Sequence, residues 1–267
     1  MVSFLIIVPT LNSWNLLPQL INSLRQQTFL HWRVRFIDGP SEQSHRDYLE
    51  DICSLDSRFQ WECQLSQETG IFGAMNEGMK FVDLDRDWVL FWGSDDQASS
   101  PLMLENIAKK LNLYELQNNL PDLLICHGTY YQRDMDPCKK KHKIFGRKTK
   151  FTYRRSFRRS LFCGSTPPHQ ATFFGRGALV ALPHFTPELR LSADLDYFLR
   201  LSMNPKISIR VEDIEVVWIG NSGISQQETK NKLKEVRISY KRAFGSQWWI
   251  PFLLRYLQRL QSWLEAR

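Results

Sequence analysis

The sequence predicts an α/β protein with a mostly parallel central sheet, helices on both faces, and a helical extension at the C-terminus. Three observations carry this. Strand-like apolar runs alternate with segments of helical period from Phe4 to Asp96. Each run ends in a polar turn. One of them, Trp88-Val-Leu-Phe-Trp92, is apolar throughout, as a strand buried on both faces must be. Strands and helices alternating at this pitch give parallel neighbours joined by crossover helices, a Rossmann-like arrangement.

In order, Phe4 to Val8 forms a first strand that turns at Pro9-Thr10-Leu11-Asn12, and Leu16 to Leu24 carries apolar residues at helical spacing. Trp32 to Asp38 alternates and turns at Gly39-Pro40, giving a second strand that ends on an acid. Tyr48 to Leu55 reads as the next helix, Phe59 to Cys63 as a short third strand, Glu68 to Gly70 as the loop after it, and Ile71 to Val82 as a helix. The buried run then stops at Gly93-Ser94 and presents Asp95 and Asp96. In a parallel sheet these four strands deliver Thr10 and Asn12, Asp38, the 68–70 loop and the two acids to one rim, where ligands of open α/β sheets bind. Adjacent carboxylates repel, and a divalent cation between them and a phosphorylated ligand relieves that; capping the helix that starts near Pro101 is the plainer use.

Length and composition bound the rest. The 267 residues, 43% hydrophobic and 24% charged, suit one large domain or a domain with a small appendage. Five cysteines (Cys53, Cys63, Cys126, Cys138, Cys163) lack paired metal spacing and suggest neither a disulfide framework nor a zinc site. The apolar start is too short to span a bilayer and lacks the basic flank of a signal peptide. A cytoplasmic location is expected. The net charge of +7 is concentrated: between Lys139 and Arg159 stand eleven Lys or Arg and no acid. Such a stretch serves an anionic substrate, anionic lipid or nucleic acid, or is a solvated loop. Pro9 to Trp14 holds no glycine and no Walker sequence occurs, which sets aside a dinucleotide-binding dehydrogenase and a P-loop enzyme.

A series of short motifs resembles the bacterial family 2 glycosyltransferases of the GT-A fold that assemble surface polysaccharides such as colanic acid. It runs through Ile6-Ile-Val-Pro-Thr-Leu-Asn12, Ile37-Asp-Gly39 with Ser41, Gly70-Ile-Phe-Gly-Ala-Met-Asn-Glu-Gly78 and Phe91-Trp-Gly-Ser-Asp-Asp96. It resumes at Pro168-His-Gln-Ala-Thr-Phe-Phe174, Leu191-Ser-Ala-Asp-Leu-Asp-Tyr-Phe-Leu-Arg-Leu201 and Gly220-Asn-Ser-Gly-Ile-Ser225. Each motif is weak alone; their order and spacing are specific. The resemblance implies a GT-A domain over 1–225, with a nucleotide-binding half of about 1–97, an acceptor half of about 98–225 and the basic loop 139–159. Residues 226–267 are then a helical extension.

The resemblance also implies roles. Pro9, Thr10, Asn12, Asp38, Gly70, Asn76 and Asp95 would contact the nucleotide sugar, and Asp96 would hold Mg²⁺ or Mn²⁺ on the diphosphate of a UDP- or GDP-sugar. A diphosphate leaves readily only when its growing charge is met by a cation. Ser94 stands where relatives often carry an acid. Asp194, near the start of a helix expected over Leu195 to Met203, aligns with the base that takes the proton of a glycan or polyprenyl-linked acceptor in an inverting transfer. Capping that helix is the alternative for Ser192 or Asp194. His169 and Gln170 would lie on the acceptor side, held by Pro167-Pro168, and Asp196 behind the base. Arg200 reads as a salt-bridge residue.

After a polar helical piece from Gln226 to Phe244, Ser246 to Leu264 is aromatic, leucine-rich and amphipathic from Phe252. It suits packing on its own domain, a partner face, or peripheral contact of 246–265 and 139–159 with the inner face of the plasma membrane. Aromatic residues among the cations of 139–159 also suit single-stranded nucleic acid, but no RNA-binding signature accompanies them. A nucleotidyltransferase and a non-catalytic binding module are the other classes the sequence leaves open. The first wants a glycine- and basic-rich loop after the first strand, which is absent.

Overall fold

A computed structural model describes residues 2–65, 70–131, 148–220 and 229–265, with side chains for all of these except 229–230 and 259–265. Strands β1 (Ser3–Thr10), β2 (Trp32–Asp38), β3 (Phe59–Cys63) and β4 (Asp87–Phe91) lie in the order β3-β2-β1-β4, all parallel. Their crossovers contain α1 (Leu17–Arg25), α2 (Gln43–Leu55) and α3 (Gly70–Met79). Helix α2 begins at Gln43, ahead of the expected Tyr48. A contact distant in sequence sets its start: the Glu42 amide donates to Asn12 Oδ1 at 2.8 Å. Helix α3 ends at Met79, short of Val82.

The second half widens the sheet with β5 (Gln97–Ala98), β6 (Leu123–Tyr130), β7 (Lys148–Thr149), β8 (Thr172–Phe174) and β9 (Ile209–Ile219). The order continues β4-β8-β6-β9-β5, with β7 pairing off β6. Strand β8 runs antiparallel to β4 and β6, and β9 runs parallel to β6. Strands β6 and β9 therefore point the same way as β4, and β8 alone among these three brings its N-terminal end to the acidic rim. Helices α4 (Met103–Leu116), α5 (Phe157–Phe162), α6 (Arg176–Ala181), α7 (Ala193–Leu201), α8 (Thr229–Phe244) and α9 (Trp249–Glu265) complete the fold.

Alternation along β1 divides the core. Phe4, Ile6 and Val8 join α1, α2 and α4 on one face, while Leu5 and Ile7 join α3, α6, α7 and α8 on the other. Val236, Tyr240 and Ala243 of α8 belong to the second cluster, so the segment expected as an extension packs into the same core as α3, α6 and α7.

Below the sheet, the buried Asp87 carboxylate accepts Arg33 Nη1 at 2.7 Å and Nη2 at 2.5 Å, the Asp83 amide at 2.8 Å and the Ser3 hydroxyl. This ties β1, β2 and β4 together at their N-terminal ends. Asp87→Ala strands a guanidinium that is still a third exposed, and is expected to lower the unfolding free energy in urea by about 3 kcal/mol.

Candidate functional site

The rim at the C-terminal ends of β1, β2 and β4 assembles the first group of expected residues. Thr10 and Asp38 are register partners, and the Thr10 hydroxyl donates to Asp38 Oδ1 at 2.9 Å. Ser41 donates to the same oxygen at 2.7 Å. His45 Nε2 lies 3.1 Å from it and Arg46 Nε lies 3.5 Å from Oδ2. The Asp38 side chain is fully buried, and Oδ2 has no hydrogen-bond donor. Burial lowers the His45 pKa, with the Asp38 charge and hydrogen bond opposing, so the imidazole beside this carboxylate favours its neutral form at neutral pH. Asn12, in a left-handed conformation at φ +48°, accepts the Glu42 amide on its side chain, and its own amide donates to Ser41 Oγ at 2.9 Å. It thus joins the loops after β1 and β2 where the sequence reading placed it against the nucleotide.

Strand β4 leads into the acidic turn. Ser94 Oγ donates to the Pro9 carbonyl at 3.1 Å and accepts from Ser13 at 2.9 Å, fastening the turn to the end of β1. Asp96 is buried, and its two oxygens accept the amides of Gly93 at 2.7 Å and Gly220 at 3.0 Å. Burial, and then the neighbouring Asp95 charge, push its pKa well above the usual carboxylate range, against those two amides. Asp95 is the more open of the two acids. Its carboxylate lies against the backbone after β9: a Cβ on Gly220 would sit 2.2 Å from Asp95 Oδ2, so only glycine fits there. Tyr131, at the end of β6, donates to the Asp95 carbonyl at 2.6 Å.

The antiparallel β8 brings the residues expected on the acceptor side to the same rim. The indole of the buried Trp92 donates to the Gln170 carbonyl at 2.8 Å. His169 opens the short 3₁₀ turn His169–Ala171, and its Nδ1 lies 3.5 Å from Asp194 Oδ2 in the first turn of α7. A continuous path therefore runs from Asp96 through Gly93, Trp92 and Gln170 to His169 and Asp194. Asp194 keeps about 26% of its side chain exposed. Burial raises its pKa, but the hydrogen bond and charge of His169, the charge of Arg255 and the Leu195 amide outweigh that and hold it at about 2.

Capping is not what Ser192 does: its side chain makes no cap hydrogen bond within α7. The segment leading into α7 is instead held by Glu235 of α8, which accepts the amides of Arg190, Leu191 and Ser192 at 3.0, 2.8 and 2.9 Å. A carboxylate there meets the positive end of the helix and fixes the turn that carries Asp194. Nothing local in the sequence points to it, since Glu235 lies in another helix.

Two other expected residues are buried within the fold. Asn76 is buried, donating to the Phe185 carbonyl at 3.0 Å and accepting its amide at 2.7 Å, so it clamps α3 to the segment before α7. Asp196 is buried, accepting Thr186 at 2.6 Å with Arg200 at 3.9 Å and Arg242 at 3.8 Å. Gly70 opens α3 at φ +85°. The 66–69 part of the loop before it, residues 139–147 of the basic stretch and 221–225 of the last motif lie outside the described residues. A depression of about 630 Å³ lined by Asp85, Trp88 and Arg176 lies at the opposite end of the sheet and holds none of the expected residues.

A parallel half-sheet with an acidic rim, joined to a mixed half that brings a further carboxylate to it, defines the GT-A class of transferase fold. Solved structures agree. S. aureus TarS 1–349 in complex with UDP-GlcNAc aligns over 99% of this chain and 79% of its own, with TM-score 0.66 and 17% identity. The mannosyltransferase PcManGT from Pyrobaculum calidifontis, in complex with GDP-Man and Mn²⁺, aligns over 99% and 73%, with TM-score 0.58 and 13% identity. A PGL/p-HBAD biosynthesis glycosyltransferase of Mycobacterium bovis (strain BCG / Pasteur 1173P2) is 26% identical over 225 residues, 82% of this chain and 77% of the relative. The family model for glycosyl transferase family 2 matches residues 5–175. The chain belongs to the family 2 glycosyltransferases, and sugar transfer is its class of reaction.

Proposed function

We propose that the protein is an inverting glycosyltransferase that passes a sugar from a UDP- or GDP-sugar to a glycan or lipid-linked acceptor in cell-surface polysaccharide assembly. The observation that carries the reading is the linked path from Asp96 to Asp194, which brings the acidic turn and a carboxylate held ionised at neutral pH to one rim. Asp194 accepts the proton of the acceptor hydroxyl as its oxygen bonds to the anomeric carbon and the bond to the diphosphate breaks on the far side. His169 orients Asp194 and holds its charge. Pro9, Thr10 and Asp38 form the nucleoside side.

The donor set of the acidic turn fits a hard divalent cation: two adjacent carboxylates, one of them driven toward its neutral form by burial and by the charge of the other. Asp96, with Asp95 beside it, would hold Mg²⁺ or Mn²⁺. Bound there, such an ion would neutralise charge developing on the departing diphosphate. Support also comes from the neighbours, whose structures contain UDP-GlcNAc or GDP-Man with Mn²⁺.

Thermal melting with UDP-GlcNAc and GDP-mannose, with and without Mn²⁺, tests the reading. One of the two is expected to raise the melting temperature, and more with Mn²⁺; no rise with either sugar nucleotide would overturn it.

Peripheral membrane contact belongs to the same proposal. Among the described residues no helix is long and apolar enough to cross a membrane. Helix α9 packs one face on its own domain through the buried Pro251 and Arg255, yet leaves Trp249, Leu253 and Leu257 about half exposed at a spacing of four. The protein is expected to sediment with phosphatidylglycerol vesicles and not with phosphatidylcholine ones. Replacing these three residues by Ser should release it without changing its melting temperature.

A further inference from the structure

We infer that Arg255, on the last helix, is a positioning residue for the His169–Asp194 pair, and that α9 is a working part of the acceptor side of the site. The inference rests on the reading of Asp194 as the base and adds to it a residue that lies beyond the last matching motif.

The geometry starts at the loop before β8. Gly164 adopts φ +87°, and a Cβ on it would lie 2.6 Å from the Arg255 amide nitrogen and 2.9 Å from its Cα. The backbone of α9 is thus seated directly on this loop. One turn away, Gln258 Nε2 donates to the Cys163 carbonyl at 2.7 Å. From the other side, Ser165 Oγ accepts the Thr152 amide at 2.8 Å. Arg255 then reaches over the loop, its Nη1 donating to Thr166 Oγ1. Pro167 and Pro168 follow, with φ fixed by their rings, and the next residue is His169. The Pro168 carbonyl accepts Thr172 Oγ1 at 2.8 Å, so little slack remains between Thr166 and the imidazole.

Arg255 is only 8% exposed, and its Nε is buried without a hydrogen-bond acceptor. No carboxylate of the described residues lies within ion-pair distance of it. A side chain serving packing alone would be better apolar, because a buried charge without a partner costs several kcal/mol unless a field compensates it. Asp194 supplies that field, and the Arg255 charge in turn favours the ionised Asp194. The cation therefore acts twice: on the loop that aims His169, and on the carboxylate that His169 holds.

Arg255→Met, Arg255→Lys and Thr166→Val test this, the last removing only the hydroxyl that receives the guanidinium. Two readouts are used: the carboxyl ¹³C titration of Asp194, assigned by its loss in Asp194→Asn, and hydrolysis of the sugar nucleotide that raises the melting temperature. Arg255→Met is expected to move the Asp194 titration upward, and both it and Thr166→Val should lower kcat about tenfold to a hundredfold with donor KM unchanged. Arg255→Lys should restore the titration but not the full kcat, since an ammonium keeps the charge and not the fork. A folded Arg255→Met with wild-type titration and kcat would overturn the inference, whatever its melting temperature. If that variant does not fold, Thr166→Val at full kcat does so instead. An active Asp194→Asn would sink the base assignment; an inactive one beside a fully active Arg255→Met would sink only the role of Arg255.

Discussion

Asp194→Asn is expected to lower sugar transfer by about 10²–10⁴-fold while leaving the nucleotide-induced rise in melting temperature intact. The variant keeps the shape of the side chain and removes only its ability to take a proton. Donor binding is expected to survive because the residues proposed for the nucleotide lie at the ends of β1, β2 and β4, across the rim from α7. The pH dependence follows from the same surroundings. Asp194 is held at about 2, below its ordinary 3.8, so it stays charged throughout the neutral range and contributes no acid limb to the rate between pH 5 and 8. Because its folded value is the lower one, the stability it contributes, about 2 kcal/mol, is present above pH 4 and is lost as pH falls toward 2. His169→Gln removes the strongest influence opposing burial. The Asp194 titration should then move upward, and an acid limb should enter the pH–rate profile from below. A profile unchanged in His169→Gln would mean that the imidazole does not govern this carboxylate.

The parallel half of the fold was legible because its signals are local. Alternation in Trp32 to Asp38, the buried run at Trp88 to Trp92, and helical spacing from Leu16 to Leu24 each follow from which side chains face which layer. The acceptor half was not legible as architecture. Its antiparallel β8 is three residues long and gains its meaning from pairing with β4 and β6, which are remote in sequence. The site divides in the same way. Asp95, Asp96 and Asp194 stand at ends of elements, where sequence pattern places them well. Asn76 and Asp196 stand within helices, and their burial against Phe185 and Thr186 depends on packing no local pattern encodes. Glu235 and Arg255 escaped notice for a related reason. Each is one charged residue among many in a basic, amphipathic segment, and only the tertiary fold shows that one holds the entry to α7 and the other lies buried against Thr166.

Asp96→Asn is expected to abolish the Mn²⁺-dependent part of the nucleotide-induced stabilisation and to lower transfer by about 10²–10³-fold. The structure makes this a sharper experiment than the motif would. Asp96 is the buried acid and Asp95 the more open one, yet it is Asp96 that receives the backbone amides of Gly93 and Gly220. Those amides use one lone pair on each oxygen and leave the others for a cation, so the carboxylate is aimed before any ion arrives. The Asn variant turns one acceptor into a donor facing a backbone N–H, which should itself lower stability by about 1–3 kcal/mol. Metal dependence must therefore be measured as the difference between melts with and without Mn²⁺, in which that constant loss cancels. Asp95→Asn, at the more open carboxylate, supplies the contrast: it should retain most of the Mn²⁺ effect. Loss of the Mn²⁺ effect in Asp95→Asn and its survival in Asp96→Asn would transfer the metal to the open carboxylate. Asp96 would then be the group that shapes the turn, its raised pKa reflecting a proton it keeps and not a cation it awaits.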